Sequence, residues 1–287
     1  MIISGALNID MDFDKICNAI LERVFHGTAH DVVGNFSLNK IGTGEGNIAY
    51  GWGLYFAENP EIAKGYKRGL THKDFLRKVS EVYDEYTSPE EADEALNNAG
   101  LTSSQLALVK ALQDEDWWGF DYPHQAVNAA LKEPQHFEHG EEVDKALENF
   151  GNLYAVDINA DKENDFLNWD SPISMESEKV KAAFDEVNYM DLHAPNGMAF
   201  RDYVSATGEE PKSSEIYKSL SKESSPQKAS ELFLKHGIKG IRYLDQRSRE
   251  KGDGTYNFVI FDPSVIQIVS KNGEFVMSSK TPENVEV

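Results

Sequence analysis

The sequence FHGTAH at residues 25–30 and the sequence GTGEGNIAYGWGLYFAENPEIAKGY at residues 42–66 decide the expected fold of this chain. The first is expected to end a short apolar strand at His26. The second opens with a glycine-rich loop and continues with a strand-like run at residues 53–57. Isolated glycine-rich runs are more often turns than phosphate cradles, so the loop alone indicates no ligand.

A helix is predicted to begin directly after the second strand. Asn59 has the position of an N-cap, Pro60 that of the first helical residue and Glu61 that of an acidic first turn. We expect this helix to end at Tyr66. Because Tyr55 lies at the end of the strand before it, the rings of Tyr55 and Tyr66 are expected to return to one pocket.

The combination resembles the NAD-binding half of ADP-ribosyltransferases of the poly(ADP-ribose) polymerase and diphtheria-toxin type. That family carries His-Gly-Ser/Thr, then a glycine-spaced Tyr-Phe-Ala strand and a tyrosine on the following helix. The resemblance extends to residues 238–268, where GIRYLD and GTYNFVIFDPSVIQI are similar to the last strands of the family. The chain looks most like the domains found in phage polyvalent proteins and in bacterial toxins and effectors.

The resemblance implies a role for each matching residue. His26 would bond the adenosine-ribose hydroxyls of NAD, the backbone of Gly27 would hold the carboxamide, and Tyr55 and Tyr66 would sandwich the nicotinamide ring. The implied catalytic set is His26, Tyr55 and Asn257. The residues expected to contact NAD are His26, Gly27, Thr28, Asn47, Tyr55, Phe56, Ala63 and Tyr66.

Two positions depart from the family. Ala63 stands where many relatives carry serine, and Asn257 stands where they carry the catalytic glutamate. Cleavage of the nicotinamide–ribose bond develops positive charge on the anomeric carbon, and an amide supplies no negative charge beside it. Polymer elongation is therefore not expected, whereas a single transfer is. Asp245 and Glu250 are either stand-in acids or surface charges.

The expected fold class is α+β, an ADP-ribosyltransferase split β-sandwich of two small sheets with a helical insertion. Residues 1–70 would form the N-terminal half of the transferase core, residues 71–150 the insertion and residues 151–275 the C-terminal half. Residues 276–287 would form a disordered tail. In the insertion, Trp117 and Trp118 either pack it onto the core or form an exposed patch for a partner.

A polar loop at residues 245–254 takes the position that contacts the acceptor in relatives. The resemblance implies Asp245, Gln246 and Arg247 as acceptor-loop residues. Arg247, Arg249 and Lys251 make the loop locally basic in an acidic chain. A solvated loop without a role is the alternative interpretation.

The composition limits the classes of partner. The 28 basic and 49 acidic residues give a net charge of −21, which repels nucleic acids and anionic membranes. No metal is expected, because the spacing of His124, His136 and His139 fits no zinc pattern. Cys17 is the single cysteine, so no internal disulfide forms. We expect a monomer made in a bacterial cytoplasm and, if exported, exported without a cleavable signal peptide.

The expected function is that of an NAD-dependent mono-ADP-ribosyltransferase acting as a toxin or effector. Its acceptor would be a side chain of a host or competitor protein, with arginine among the candidates. One alternative is an NAD-binding or interaction module without turnover, and another is an NAD glycohydrolase. A third is an enzyme on nucleic acid, like the tRNA 2′-phosphotransferases that also carry His-Gly-Thr. The net charge argues against the last of these.

Overall fold

The structure, a computed structural model, describes residues 22–41, 49–85, 89–101, 150–249 and 254–276, together with residues 103, 105, 106, 109, 125, 129 and 132. The strands in these ranges are β1 (Glu22–Thr28), β2 (Leu54–Ala57), β3 (Asn152–Ile158), β4 (Phe166–Asn168), β5 (Gly240–Leu244), β6 (Tyr256–Ile260), β7 (Ile266–Lys271) and β8 (Glu274–Phe275). The helices are α1 (Pro60–Glu85), α2 (Pro89–Asn98), α3 (Glu178–Glu186), α4 (Phe200–Thr207), α5 (Ser213–Glu223), α6 (Pro226–Lys235) and α7 (Gln246–Arg249).

The strands form one eight-stranded sheet in the order β4-β5-β6-β2-β1-β3-β7-β8. The β4–β5 pair is parallel and the other pairs are antiparallel. β1 and β2 meet at the single register pair Phe25–Ala57, whereas β1 and β3 pair along their whole length. The α+β class is confirmed. Instead of two separate sheets, two halves of one sheet meet at this bridge.

β5 and β6 lie inside the sheet, and both of their faces are covered. Ile241, Tyr243 and Val259 face one hydrophobic cluster, which is built with α3, α5 and α6. Phe56 and Phe258 face a second cluster, which is shared with side chains of β1 and β3. Both strands are therefore enclosed by hydrophobic clusters on either side.

Helix α1 begins as predicted, with the backbone N–H of Glu61 donating to the Asn59 side chain at 3.0 Å. The prediction that it ends at Tyr66 is wrong, because α1 continues to Glu85. Its later turns bury Phe75 and Val79 in a cluster with α2, and this burial offsets the cost of the two glycines in its middle. The expected boundary between core and insertion at residues 70–71 falls inside this helix, and the domain division stays a prediction.

Residues 166–168 form β4 beside β5. Asn272-Gly273, a dipeptide typical of hairpin turns, has φ angles of 51° and 86° and leads into β8. Among the described residues, no helix is long and apolar enough to cross a membrane.

Gly27 of β1 lies directly against α1. A Cβ atom there would overlap the carbonyl oxygen of Ala63 and would stand 2.6 Å from the backbone nitrogen of Lys67. These are backbone atoms of a long helix, which cannot move aside cheaply. The glycine is thus required for the packing of α1 on β1.

We expect Gly27→Ala to lower the free energy of unfolding by about 1–3 kcal/mol, because it overpacks this contact. Gly69→Ala is the matched control. Gly69 lies in α1 with open space around it, so alanine there is expected to raise stability by roughly 0.5–1 kcal/mol. Urea denaturation of the two variants measures both effects. A Gly27→Ala variant as stable as the wild type would contradict the packing of α1 on β1.

Glu176 is buried between β4 and the N-terminus of α5. Its Oε1 accepts from the backbone N–H of Asn168 at 3.0 Å and from the hydroxyl of Ser213 at 2.6 Å. Burial disfavours the charged carboxylate and raises the pKa of Glu176 to about 7, although both hydrogen bonds oppose the shift.

The free energy of unfolding is therefore expected to fall as the pH rises from about 4.5, the ordinary pKa, to about 7. Across this window the unfolded state releases its proton whereas the folded state keeps it, which lowers the free energy of unfolding by an amount on the order of 3 kcal/mol. In Glu176→Gln the amide oxygen can accept both bonds without a charge, so the decline should be absent. Denaturation curves recorded between pH 4 and pH 8 measure this decline in the free energy of unfolding. Glu61→Gln, which changes an exposed glutamate, is the control. If the free energy of unfolding fell with pH as steeply in Glu176→Gln as in the wild type, groups other than Glu176 would cause the decline.

Candidate functional site

His26 lies where β1 and β2 separate. Its Nδ1 is 2.8 Å from the carbonyl oxygen of Tyr55, and its ring packs edge-on against Phe36, with the centroids 5.1 Å apart. A carbonyl oxygen can only accept, so Nδ1 carries the proton and Nε2 presents a lone pair in the neutral ring. The imidazole thus joins the two halves of the sheet and retains one acceptor.

The protonation state of His26 follows from its surroundings. Burial lowers its pKa below the ordinary value, and the bond to the Tyr55 carbonyl only partly opposes this. The imidazole is therefore neutral at pH 7. In this form Nε2 accepts a hydrogen bond, for example from a hydroxyl group.

Tyr55 is held by the end of the glycine-rich stretch. Its hydroxyl donates to the carbonyl oxygen of Gly51 at 2.8 Å and accepts from the backbone N–H of Tyr50 at 3.3 Å. Burial raises the pKa of the Tyr55 phenol well above its ordinary value, so it stays protonated. Tyr55 therefore fixes the turn before β2 and presents its ring, rather than a phenolate, to the site.

The strand register places the predicted residues on two faces. Ala57 pairs with Asn257, and Asn257 pairs with Tyr243, so these side chains share a face of the sheet. Tyr55 lies two residues from Ala57 and is on the same face. His26 follows Phe25, the partner of Ala57, and therefore approaches the gap from the opposite face. The site consequently extends through the gap between β1 and β2.

Tyr66 reaches the same surroundings from α1. Its phenol is close enough to raise the pKa values of Tyr55 and Tyr243 further, in addition to the larger effect of burial. The side chain of Tyr66 is 61% exposed, whereas that of Tyr243 is buried. The exposed ring of Tyr66 is a surface on which a flat ligand can stack.

Asn257 contains a buried acceptor without a partner. The residue is 7% exposed, and within the described part of the chain its Oδ1 accepts no hydrogen bond. An unpaired buried polar atom costs about 1–3 kcal/mol, and such atoms are rare in proteins. This oxygen is therefore suited to a donor that comes from outside the chain.

Three residues that were not predicted to belong to the pocket lie near it: Tyr243 is the cross-strand neighbour of Asn257, and Tyr50 and Arg249 contact the ring of Tyr243. The rings of Tyr50 and Tyr243 stack with their centroids 3.9 Å apart and their planes 5° apart. The guanidinium carbon of Arg249 lies 4.9 Å from the centroid of the Tyr50 ring. Only indirect features of the sequence indicated these residues. Tyr243 is two positions after the buried Ile241 in β5, and Tyr50 directly precedes Gly51.

Comparisons with known proteins do not identify a relative. No family model, no curated protein and no solved structure matches this chain. The chemistry of the site therefore rests on its own residues and their geometry.

The remaining predicted NAD contacts have structural surroundings of their own. Phe56 is buried and packs beside the His26 ring, with the centroids 5.4 Å apart, so it supports that ring from the core. The hydroxyl of Thr28 accepts from the backbone N–H of His30 at 3.2 Å. Ala63 is buried, with its carbonyl oxygen toward Gly27.

The loop after β5 differs from expectation. Asp245 is 4% exposed, so its interpretation as a surface charge is wrong. Its Oδ1 accepts from the backbone N–H of Ser248 at 2.8 Å and its Oδ2 from the hydroxyl of Thr255, which closes the loop. Both oxygens are thus engaged, and Asp245 is a poor stand-in for the missing glutamate. Gln246 is exposed at the start of α7.

Several predicted residues lie outside the described residues. They are Asn47 with the glycines at 42, 44 and 46, the side chain of Arg247, Glu250, Lys251, Cys17, Trp117, Trp118, His124, His136 and His139. The expectations for them stay predictions.

Proposed function

We propose that this chain is an NAD-dependent mono-ADP-ribosyltransferase that modifies a side chain of a target protein. We propose with it the ADP-ribosyltransferase fold, with the sheet split at the Phe25–Ala57 bridge. The observation that carries the proposal is the buried, unpartnered Oδ1 of Asn257 on the face of Tyr55. It lies where the resemblance requires a group that holds a ribose hydroxyl.

The residues of the site fit NAD in two respects. Asn257 Oδ1 and the neutral His26 Nε2 are acceptors for ribose hydroxyls, one on each side of the gap. The exposed ring of Tyr66 and the ring of Tyr55 are surfaces for nicotinamide. The fit is weaker at Gly27, because packing against α1 already explains its missing side chain and only its backbone groups are left for the carboxamide.

In this mechanism the protein acts mainly by position. Tyr55 and Tyr66 would hold the nicotinamide ring, while His26 and Asn257 would fix the two riboses at an angle that exposes the anomeric carbon. NAD supplies a leaving group that is already cationic, so no residue has to protonate it. Asn257 would orient the nicotinamide ribose through its hydroxyl and cannot remove a proton from the acceptor.

A second candidate function is NAD binding without turnover. It is favoured by the neutral side chain of Asn257, which cannot stabilise positive charge on the ribose as a carboxylate would. Because the two candidate functions share the binding site, NAD affinity does not distinguish them. Release of nicotinamide distinguishes them, because only the transferase cleaves NAD.

The test uses the purified chain, NAD labelled in its adenylate part, and lysates of bacterial and eukaryotic cells. We expect a labelled protein band, free nicotinamide in equal amount, and saturable NAD binding by calorimetry. Binding without nicotinamide release in any lysate would favour the binding module. Nicotinamide release with water as the acceptor would favour a glycohydrolase. Absence of NAD binding would refute all three.

A further inference from the structure

Arg249 is held in place by polar contacts, so the interpretation of its loop as merely solvated does not hold for this side chain. Its Nη1 donates to the Tyr50 hydroxyl at 2.9 Å, and its Nε lies 3.4 Å from Oδ1 of Asp170. Asp170 is itself anchored, because its Oδ2 accepts from the backbone N–H of Leu244 at 3.1 Å. The guanidinium group is thereby held over the stacked rings of Tyr50 and Tyr243.

Buried polar atoms that make no hydrogen bond lie near one ring. Within the described ranges, Nη2 and Nε of Arg249 donate no hydrogen bond, although Nε is ion-paired with Asp170, and Oδ1 of Asn257 accepts none. The guanidinium carbon of Arg249 is 5.7 Å from the centroid of Tyr243, and Asn257 is the cross-strand neighbour of Tyr243. The site thus combines a free cationic donor with a free neutral acceptor.

We propose that Nη2 of Arg249 binds an anionic oxygen of the acceptor, and that the acceptor is a carboxylate or a phosphate group. This inference rests on the proposed transferase function. In a chain with a net charge of −21, a fixed guanidinium donor is what would allow an anionic group to approach. Nη1 is hydrogen-bonded to Tyr50 and Nε is ion-paired with Asp170, so Nη2 is the terminal nitrogen left to hold one oxygen of the anion, and another oxygen stays free to react.

The electron balance of the transfer agrees with an anionic acceptor. An acceptor oxygen forms a bond to the anomeric carbon while the bond from that carbon to the nicotinamide nitrogen breaks, and the electron pair of the broken bond stays on nitrogen. The negative charge of the acceptor and the positive charge of the pyridinium ring disappear together. No proton moves, so no base is needed. Carboxylates and phosphates are already ionised at pH 7.

An arginine acceptor fits the site less well. At pH 7 its guanidinium is protonated and would have to lose a proton before it could react, and the amide of Asn257 cannot accept one. It would also meet the like charge of Arg249. Serine and cysteine acceptors also carry a proton that must leave. The expectation of arginine as acceptor is therefore replaced by that of an anion.

The experiment uses the full chain, NAD and an equimolar mixture of five blocked amino acids as probes. They are the N-acetyl amides of glutamate, phosphoserine, serine, cysteine and arginine, and products are identified by mass spectrometry. We expect ADP-ribose on glutamate or on phosphoserine. A product on glutamate identifies a carboxylate as the acceptor, and a product on phosphoserine identifies a phosphate group. Arg249→Gln should lower this product roughly tenfold to a hundredfold with NAD affinity unchanged, because a charge-assisted hydrogen bond is lost.

Arg77→Gln, which changes an exposed arginine of α1, is the matched control and should transfer at the wild-type rate. Arg249→Lys is the control for folding. It keeps the positive charge, so it should unfold at the wild-type temperature, and it should transfer less ADP-ribose than the wild type. Products on serine, cysteine or arginine, or equal transfer by Arg249→Gln, would overturn the proposal. A matching loss of NAD affinity would overturn it too, since the anion would then be the pyrophosphate. NAD binding without any product refutes the anionic acceptor alone, whereas absence of NAD binding refutes the proposed function.

Discussion

His26→Ala is expected to lower NAD-dependent nicotinamide release about a hundredfold. The change removes the Nε2 acceptor and also the bond from Nδ1 to the carbonyl oxygen of Tyr55, which joins β1 to β2 beyond their single bridge. Misplacement of a positioned reactant by about an ångström is enough to lower a rate by this factor. The rate is measured as nicotinamide released at saturating NAD, and folding is checked by thermal unfolding.

The exposed neighbour His30 is the matched control, and His30→Ala should release nicotinamide at the wild-type rate. A pH series gives a second readout. Because burial lowers the pKa of His26, the wild-type rate should be constant from pH 8 to about pH 6.5 and should fall only in more acidic solution, where the imidazole gains its proton. Full activity of a folded His26→Ala variant would show that the imidazole only joins the strands.

Tyr55→Ala is likewise expected to abolish transfer, but the structure changes the interpretation of this variant. Its hydroxyl bonds hold Gly51 and Tyr50, so alanine removes a turn contact as well as a stacking ring. Tyr55→Phe separates these roles, because it keeps the ring and loses only the hydroxyl.

Asn257→Leu is expected to lower nicotinamide release roughly tenfold to a hundredfold without lowering the free energy of unfolding. The lost acceptor leaves a buried ribose hydroxyl unpaired in the complex, which costs about 1–3 kcal/mol. In the free protein the same change replaces an unpaired buried oxygen by an apolar group of similar size. That exchange is nearly neutral or stabilising. The rate and the urea denaturation curve of one preparation measure both effects.

Phe258→Leu is the matched control for Asn257→Leu. Phe258 is the next residue of β6, is 1% exposed and faces the opposite cluster. We expect it to lower stability by about 1–2 kcal/mol through lost packing and to leave the rate of the folded protein unchanged. If Asn257→Leu instead lowered stability and kept the rate, Asn257 would be a structural residue of the sheet.

The elements that the sequence predicts well are those set by neighbouring residues. Asn59 and Pro60 determine the start of α1, and Asn272-Gly273 determines the last hairpin, because caps and turns depend on side chains a few positions apart. The end of α1 was missed for the opposite reason. It depends on the burial of Phe75 and Val79 against α2, which outweighs the local effect of Gly65 and Gly69.

The candidate site shows the same difference between features set by neighbouring residues and features set by long-range contacts. His26 and Tyr55 were expected at one place and are joined by a hydrogen bond, whereas the contact of Arg249 with Tyr50 links residues 199 positions apart. No local pattern reports such a contact. The sequence left Asp245 open as a stand-in acid or a surface charge, because its burial depends on Ser248 and Thr255 closing around it. A charged residue in a polar run is usually solvated, and this one caps a loop.

The most direct test of NAD binding at this site is the position of the dinucleotide in crystals of the full chain soaked with NAD. We expect the nicotinamide ring between Tyr55 and Tyr66, a hydroxyl of its ribose at Oδ1 of Asn257, and a hydroxyl of the adenosine ribose at Nε2 of His26. A dinucleotide bound elsewhere, or density for these side chains unchanged at an NAD concentration that saturates the chain in solution, would contradict the account.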